Sequence, residues 1–179
     1  MHSFSSEQWL PYPLETVFSF FSDPANLPPL MPEWQKARVE HALLVAPLPP
    51  PTGTAGTQRT MAAGSGSRVK LSFRPIPFSP VRLSWLAEIQ DFEWNVSFSD
   101  YQVQGPFAYW KHRHSVHAET RIGPDGVKTQ GTRLVDEVNY TAPLGPLGEI
   151  ANALFLRAQL RATFAFRHSR TLELLSQAR

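Results

Sequence analysis

Trp110-Lys111-His112-Arg113-His114-Ser115-Val116 is the stretch of this chain whose residue types and spacing point most directly to chemistry. Trp110, His112, His114 and Val116 share one parity, and Lys111, Arg113 and Ser115 share the other. Successive side chains on a strand point to opposite faces. Lysine and arginine are almost never fully buried without a partner, so they mark the wet face. The tryptophan, the valine and both imidazoles then share the inner one. Imidazole titrates near neutrality, so a histidine lining a cavity can move protons or anchor a polar group.

Asp136 falls on the inner parity of the following strand, with Leu134, Val138 and Tyr140. A carboxylate there could orient an imidazole and stabilise its cation. Gly123-Pro124-Asp125-Gly126 is a hairpin signal. Counting from its centre places Asp136 opposite about Arg113, between the two histidines. His112, His114 and Asp136 are therefore the candidate catalytic residues. The competing reading is a polar cluster that satisfies itself by hydrogen bonding, with no turnover. His-x-His with a nearby carboxylate is also a set that zinc or non-haem iron accepts. Any inward-facing strand produces that spacing, so it assigns no metal and no cofactor.

Aromatic residues suit an apolar ligand wall: Trp85, Phe98, Trp110 and Tyr140, with Phe73 beside them. Gln102 and Tyr140 could add hydrogen bonds. The expected ligand-binding set is thus Trp85, Phe98, Gln102, Trp110 and Tyr140, together with His112, His114 and Asp136. Met31, Pro32 and Trp34 could overhang a pocket mouth. Arg157, Arg161 and His168 share a helical face that reads as solvated. There is no phosphate-binding glycine loop and no Gly-x-Ser-x-Gly elbow, so a serine nucleophile has no anchor.

Several elements must position these groups. Residues 4–10 read as a first strand. Leu14, Val17, Phe18 and Phe21 form an apolar helical stripe behind Pro13. Asp23-Pro24 starts a second short helix that ends at Pro28-Pro29. A strand is expected over about 36–45, then a Pro/Gly-rich surface loop at about 47–57. Val69, Leu71 and Phe73 alternate with charged and small polar residues, as on a half-buried strand. Val81, Leu83, Trp85, Ala87 and Ile89 define the next inner face, and residues 95–104 another strand, whose parity is open. The histidine strand and a last strand over about 129–141 follow. No proline or glycine interrupts residues 149–179. Ile150, Leu154, Ala158, Ala162, Ala165 and Leu172 mark one stripe of a long helix over about 147–177, roughly 45 Å in length. Strands in a run, flanked by helices, imply an α+β domain with an antiparallel sheet of about six to seven strands.

The chain has 179 residues, with 42% hydrophobic and 18% charged content, which fits a single globular domain over 1–179. A net charge of +2 is too small and too dispersed for a nucleic-acid surface. With no cysteine, disulfides, thiolate metal sites and cysteine nucleophiles are excluded. No run approaches the roughly 18 apolar residues of a spanning helix, and no signal-peptide pattern opens the chain. The expectation is a cytoplasmic protein, monomeric or weakly dimeric, with no nucleic-acid partner and no membrane insertion.

Glu7-Gln8-Trp9-Leu10 followed by Val17-Phe18-Ser19-Phe20-Phe21-Ser22-Asp23-Pro24-Ala25-Asn26-Leu27 resembles the N-terminal signature of the START-like, or SRPBCC, superfamily. Gly105-Pro106-Phe107, Trp110-Lys111-His112-Arg113-His114, Asp136-Glu137-Val138 and Pro143-Leu144-Gly145-Pro146-Leu147-Gly148 resemble one bacterial branch of it, labelled cyclase/dehydrase-like. The resemblance covers nearly the whole chain. It implies the helix-grip fold, in which a curved sheet wraps a long C-terminal helix and a cavity between them takes a small hydrophobic molecule. It also implies three roles that fold alone cannot separate: a ligand-binding protein, a polyketide cyclase/dehydratase-type enzyme, or a protein-interaction module with a vestigial cavity.

Overall fold

In a computed structural model, which describes residues 1–49 and 61–177, seven strands form one antiparallel sheet. They are β1 (His2–Leu10), β2 (Arg38–Leu43), β3 (Arg68–Phe73), β4 (Leu83–Glu93), β5 (Ser97–Gln104), β6 (Tyr109–Ile122) and β7 (Lys128–Thr141). The order across the sheet is β1-β7-β6-β5-β4-β3-β2, so the first strand closes against the last. Most of the expected 47–57 loop lies outside the described residues.

Between β1 and β2, helix α1 (Leu14–Ser22) buries Val17 and Phe18. The expected second helix is instead a series of 3₁₀ turns, Pro24–Asn26, Pro28–Leu30 and Glu33–Gln35. Prolines 24, 28, 29 and 32 explain the difference. Each can start a turn, but each lacks the N–H that an α-helical ladder needs. Asp23 caps the first turn, accepting from the Ala25 N–H at 2.9 Å.

The β6–β7 hairpin loop runs from Gly123 to Val127, closed by Gly123 N–H donating to the Val127 carbonyl at 2.9 Å. Gly126 adopts a φ of +77°, which glycine takes without steric cost. Because Val127 belongs to the loop, the register is one residue away from that expected: Asp136 lies opposite His114 rather than Arg113.

The C-terminal helix begins as α2 (Pro146–Ala151), passes through a π-helical segment (Asn152–Leu156) and continues as α3 (Arg157–Gln177). Its inner face is not the expected stripe. Ile150, Leu154 and Leu172 are exposed, whereas Asn152, Phe164, Arg167, Thr171 and Leu175 are buried. The inner face carries an arginine and a threonine, so apolar residues do not trace it. The π segment also adds a residue to its turn, rotating the angular register before α3. Two hydrogen bonds tie α3 to β1: Gln8 Nε2–H donates to the His168 carbonyl at 2.8 Å, and Ser6 Oγ lies 3.0 Å from His168 Nε2. Among the described residues, no helix is long and apolar enough to cross a membrane.

Candidate functional site

Alternation on β6 buries Trp110, His112, His114 and Val116, as the sequence requires, and leaves Arg113 exposed. Cross-strand neighbours then surround the imidazoles. His114 lies opposite Phe98 on β5 and Asp136 on β7, and His112 lies opposite Asp100 and Val138. Two carboxylates therefore flank two imidazoles on the inner face of three adjacent strands.

Asp136 Oδ1 lies 2.9 Å from His112 Nε2 and 2.7 Å from His114 Nδ1. His112 Nε2 donates to Asp136 Oδ1, and His114 Nδ1 is turned to the same oxygen. The opposite ring nitrogens face Asp100: His112 Nδ1 is 3.4 Å and His114 Nε2 is 3.5 Å from Asp100 Oδ2. Arg167 reaches in from α3, 3.8 Å from Asp136 Oδ1 and 3.4 Å from His114 Nδ1. Its guanidinium is held between the Phe21 and Phe164 rings, 5.0 and 5.7 Å from their centroids. Phe98 stacks on His114 at 4.6 Å.

Burial alone would push the Asp136 carboxyl up. The Arg167 charge and the bonds from His112 and His114 outweigh it and hold Asp136 well below the usual carboxylate range. Asp100 follows the same pattern: burial opposes ionisation, but the two imidazoles win and its pKa is lowered. Burial disfavours the His112 cation, yet the Asp100 and Asp136 carboxylates on either side of the ring prevail and raise its pKa.

The cluster forms part of the wall of a cavity of about 490 Å³ between the sheet and the C-terminal helix. Asp100, His112, His114 and Arg167 line it, while Asp136 lies behind the imidazoles with its side chain 1% exposed. Most of the remaining lining is apolar, including Leu71, Phe73, Trp85, Phe98, Trp110 and Phe164. Trp85 and Trp110 meet edge to face, their ring centroids 5.1 Å apart. Ile76, Leu144, Leu147 and Phe155 line the cavity while remaining substantially exposed, and so form its rim.

Two expected ligand contacts have other partners. Gln102 holds the turn after β5, its amide N–H donating to the Phe107 carbonyl at 2.7 Å and its Oε1 accepting from the Phe107 N–H at 3.2 Å. Tyr140 lies beneath the lining, and its hydroxyl donates to Asn152 Oδ1 at 2.7 Å, fixing the π segment to β7. Neither lines the cavity. Of the expected rim residues, Met31 lines the cavity, whereas Pro32 is buried and Trp34 lies off the wall.

Sequence reasoning passed over two members of the cluster. Asp100 shares its parity with Phe98 and Gln102, which was the available signal. Arg167 falls one turn from Phe164 and one turn from Thr171, on a face with no apolar run to reveal it.

A family profile described as polyketide cyclase / dehydrase and lipid transport matches residues 10–166. The chain belongs to that family. A search of curated proteins returns no match. Solved structures show the same fold at low identity. The crystal structure of TTHA0849 from Thermus thermophilus is similar, with 18% identity, 97% of this chain and 99% of that chain covered, and a TM-score of 0.60. Protein CV1439 from Chromobacterium violaceum shares 13% identity over 97% of this chain and 96% of its own, with a TM-score of 0.59. Ara h 8.0201 shares 14% identity over 96% and 98%, with a TM-score of 0.57. Membership of the polyketide cyclase / dehydrase and lipid transport family supports hydrophobic ligand binding.

Proposed function

We propose that the protein binds one small, largely apolar molecule of lipid, polyketide or aromatic type between the sheet and the C-terminal helix. His112 and His114 anchor its polar group, and Trp85, Phe98 and Trp110 pack against its body. One observation carries this reading: an apolar cavity of about 490 Å³ whose wall bears a cluster of ionisable side chains at one place only along β5 and β6. That volume falls within the range of ligand pockets, about 300–1,000 Å³, which favours a working cavity over a vestigial one. Asp136 and Gln102 act from behind the wall, one orienting the imidazoles and the other shaping the Phe107 turn. Tyr140 supports the helix.

The test is native mass spectrometry of freshly purified protein, followed by apolar-dye titration of delipidated protein. A co-purifying hydrophobic molecule that competes with the dye one-to-one supports the reading. Dye binding that leaves the fluorescence of Trp85 and Trp110 unchanged, with no retained molecule, sinks it.

A second reading is a cyclase/dehydratase-type enzyme with His112 or His114 as general acid/base. The flanking of both cavity imidazoles by carboxylates favours it, since that arrangement orients a ring and stabilises its cation. Loss of turnover without loss of ligand binding in His112→Gln or His114→Gln would mark the enzyme. Loss of binding alone would mark the carrier.

A further inference from the structure

The ring nitrogens that face Asp100 are the ones Asp136 does not use. With His112 Nε2 and His114 Nδ1 turned to Asp136, the other two ring nitrogens, His112 Nδ1 and His114 Nε2, are the ones a metal ion can take in place of a proton. Both point at Asp100 Oδ2, from 3.4 and 3.5 Å. Three electron-pair donors thus converge on one point with no hydrogen bond of normal length among them. Such an arrangement calls for a cation at its centre.

We propose that Asp100, His112 and His114 form a zinc site at the polar wall of the cavity, with Asp136 as the carboxylate that sets both histidine tautomers. The three donor atoms lie within 4.8 Å of one another. Zinc binds nitrogen and oxygen at about 2.0–2.1 Å, and a tetrahedron with such bonds has edges of about 3.3–3.4 Å. The two observed nitrogen–oxygen separations match those edges. An octahedral ion with the same bonds needs edges of about 2.9 Å, which the cluster exceeds. A carboxylate bonded to the far nitrogen of each metal-binding imidazole is the usual outer support of a zinc site, and Asp136 supplies it to both rings at once. Two histidines and one carboxylate leave the fourth position open, and it faces the cavity that Asp100, His112 and His114 line. A ligand with an apolar body and one oxygen donor (carbonyl, carboxylate or hydroxyl) would fill the cavity and complete the tetrahedron. The site shares a wall with the ligand-binding reading and refines what the anchor is, so the two need separate tests.

Tag-free protein, stripped with a chelator and dialysed, is titrated with Zn²⁺ by calorimetry and with Co²⁺ by visible absorption. One ion per chain is expected, with the d–d bands of four-coordinate cobalt. Asp100→Asn and His114→Gln should weaken Zn²⁺ binding at least about 100-fold, and Asp136→Asn about 10–100-fold. His41→Gln, on the exposed edge strand, should change nothing. Absence of stoichiometric uptake by the wild-type chain overturns the proposal, and so does uptake that survives Asp100→Asn. If Asp100→Asn does not fold, the wild-type stoichiometry and the His114→Gln titration decide. Apolar-dye binding to the metal-free protein reads the cavity by itself, so failure of the zinc site and failure of the ligand reading remain distinguishable.

Discussion

His114 and Asp136 sit directly opposite each other on β6 and β7, with His114 Nδ1 2.7 Å from Asp136 Oδ1. That cross-strand pair joins the hairpin to the C-terminal helix, because the same carboxylate oxygen also faces Arg167 at 3.8 Å. Burial leaves Asp136 no access to solvent, so its charge is sustained only by these partners.

Removing one member should therefore cost more than a surface ion pair would. Asp136→Ala leaves Arg167 buried and uncompensated, and is expected to destabilise the fold by about 3–5 kcal/mol. The double variant Asp136→Ala/Arg167→Met should lose less than the two single variants added together. Urea unfolding of all three measures this, and strict additivity would show that the charges do not interact.

Tyr140 separates a structural role from a ligand role. Tyr140→Phe removes the donor to the buried Asn152 Oδ1, and should cost about 1–3 kcal/mol. Apolar-dye affinity should stay the same, since the hydroxyl does not line the cavity. A drop in affinity with unchanged unfolding would reverse that assignment.

Ala87 lines the cavity from β4 and is buried. In a well-packed core, Ala87→Phe would cost about 1–3 kcal/mol through overpacking. Here the ring has space, so stability should change by less than about 1 kcal/mol. Dye affinity should fall by at least about tenfold, or about 1.4 kcal/mol. A destabilised variant that still binds dye would mean that the cavity is elsewhere.

His168 gives the stability a pH dependence of known sign. Burial and the Arg167 charge lower its pKa, against the opposing Asp136 charge. Ser6 faces its ring from β1. Above the ordinary histidine range both folded and unfolded chains carry it neutral, so it contributes nothing there. As pH falls through that range, the unfolded chain takes up a proton that the folded chain resists, and stability declines. His168→Gln should lose less unfolding free energy between about pH 7 and about pH 5 than the wild type does. An equal loss in both proteins would remove His168 as a source.

The histidine strand was legible because lysine and arginine occupy one parity without exception. The last strand was legible from its apolar residues, with Leu134, Val138 and Tyr140 marking the face that Asp136 shares. β5 was not. Ser97, Phe98 and Ser99 are all buried, so polarity does not separate its faces, and Asp100 stayed hidden. Arg167 was hidden for a related reason: an arginine on a helix reads as solvated until a buried carboxylate is placed beside it. The C-terminal stripe failed where a π segment and a polar inner face break the link between hydrophobicity and burial.

Local rules are properties of the chain itself. The two-residue period of a strand, the absence of N–H at proline and the turn chemistry of Gly123 to Gly126 follow from covalent structure. They determined that the imidazoles face inward, that β6 and β7 pair, and that a long helix closes the chain. Which nitrogen meets which oxygen is a different kind of fact. It depends on one residue of hairpin register, on the placement of β5 beside β6, and on how α3 crosses the sheet. Those quantities are set by packing over the whole domain. Only the tertiary structure therefore decided that Asp136 meets one nitrogen of each histidine while Asp100 faces the other.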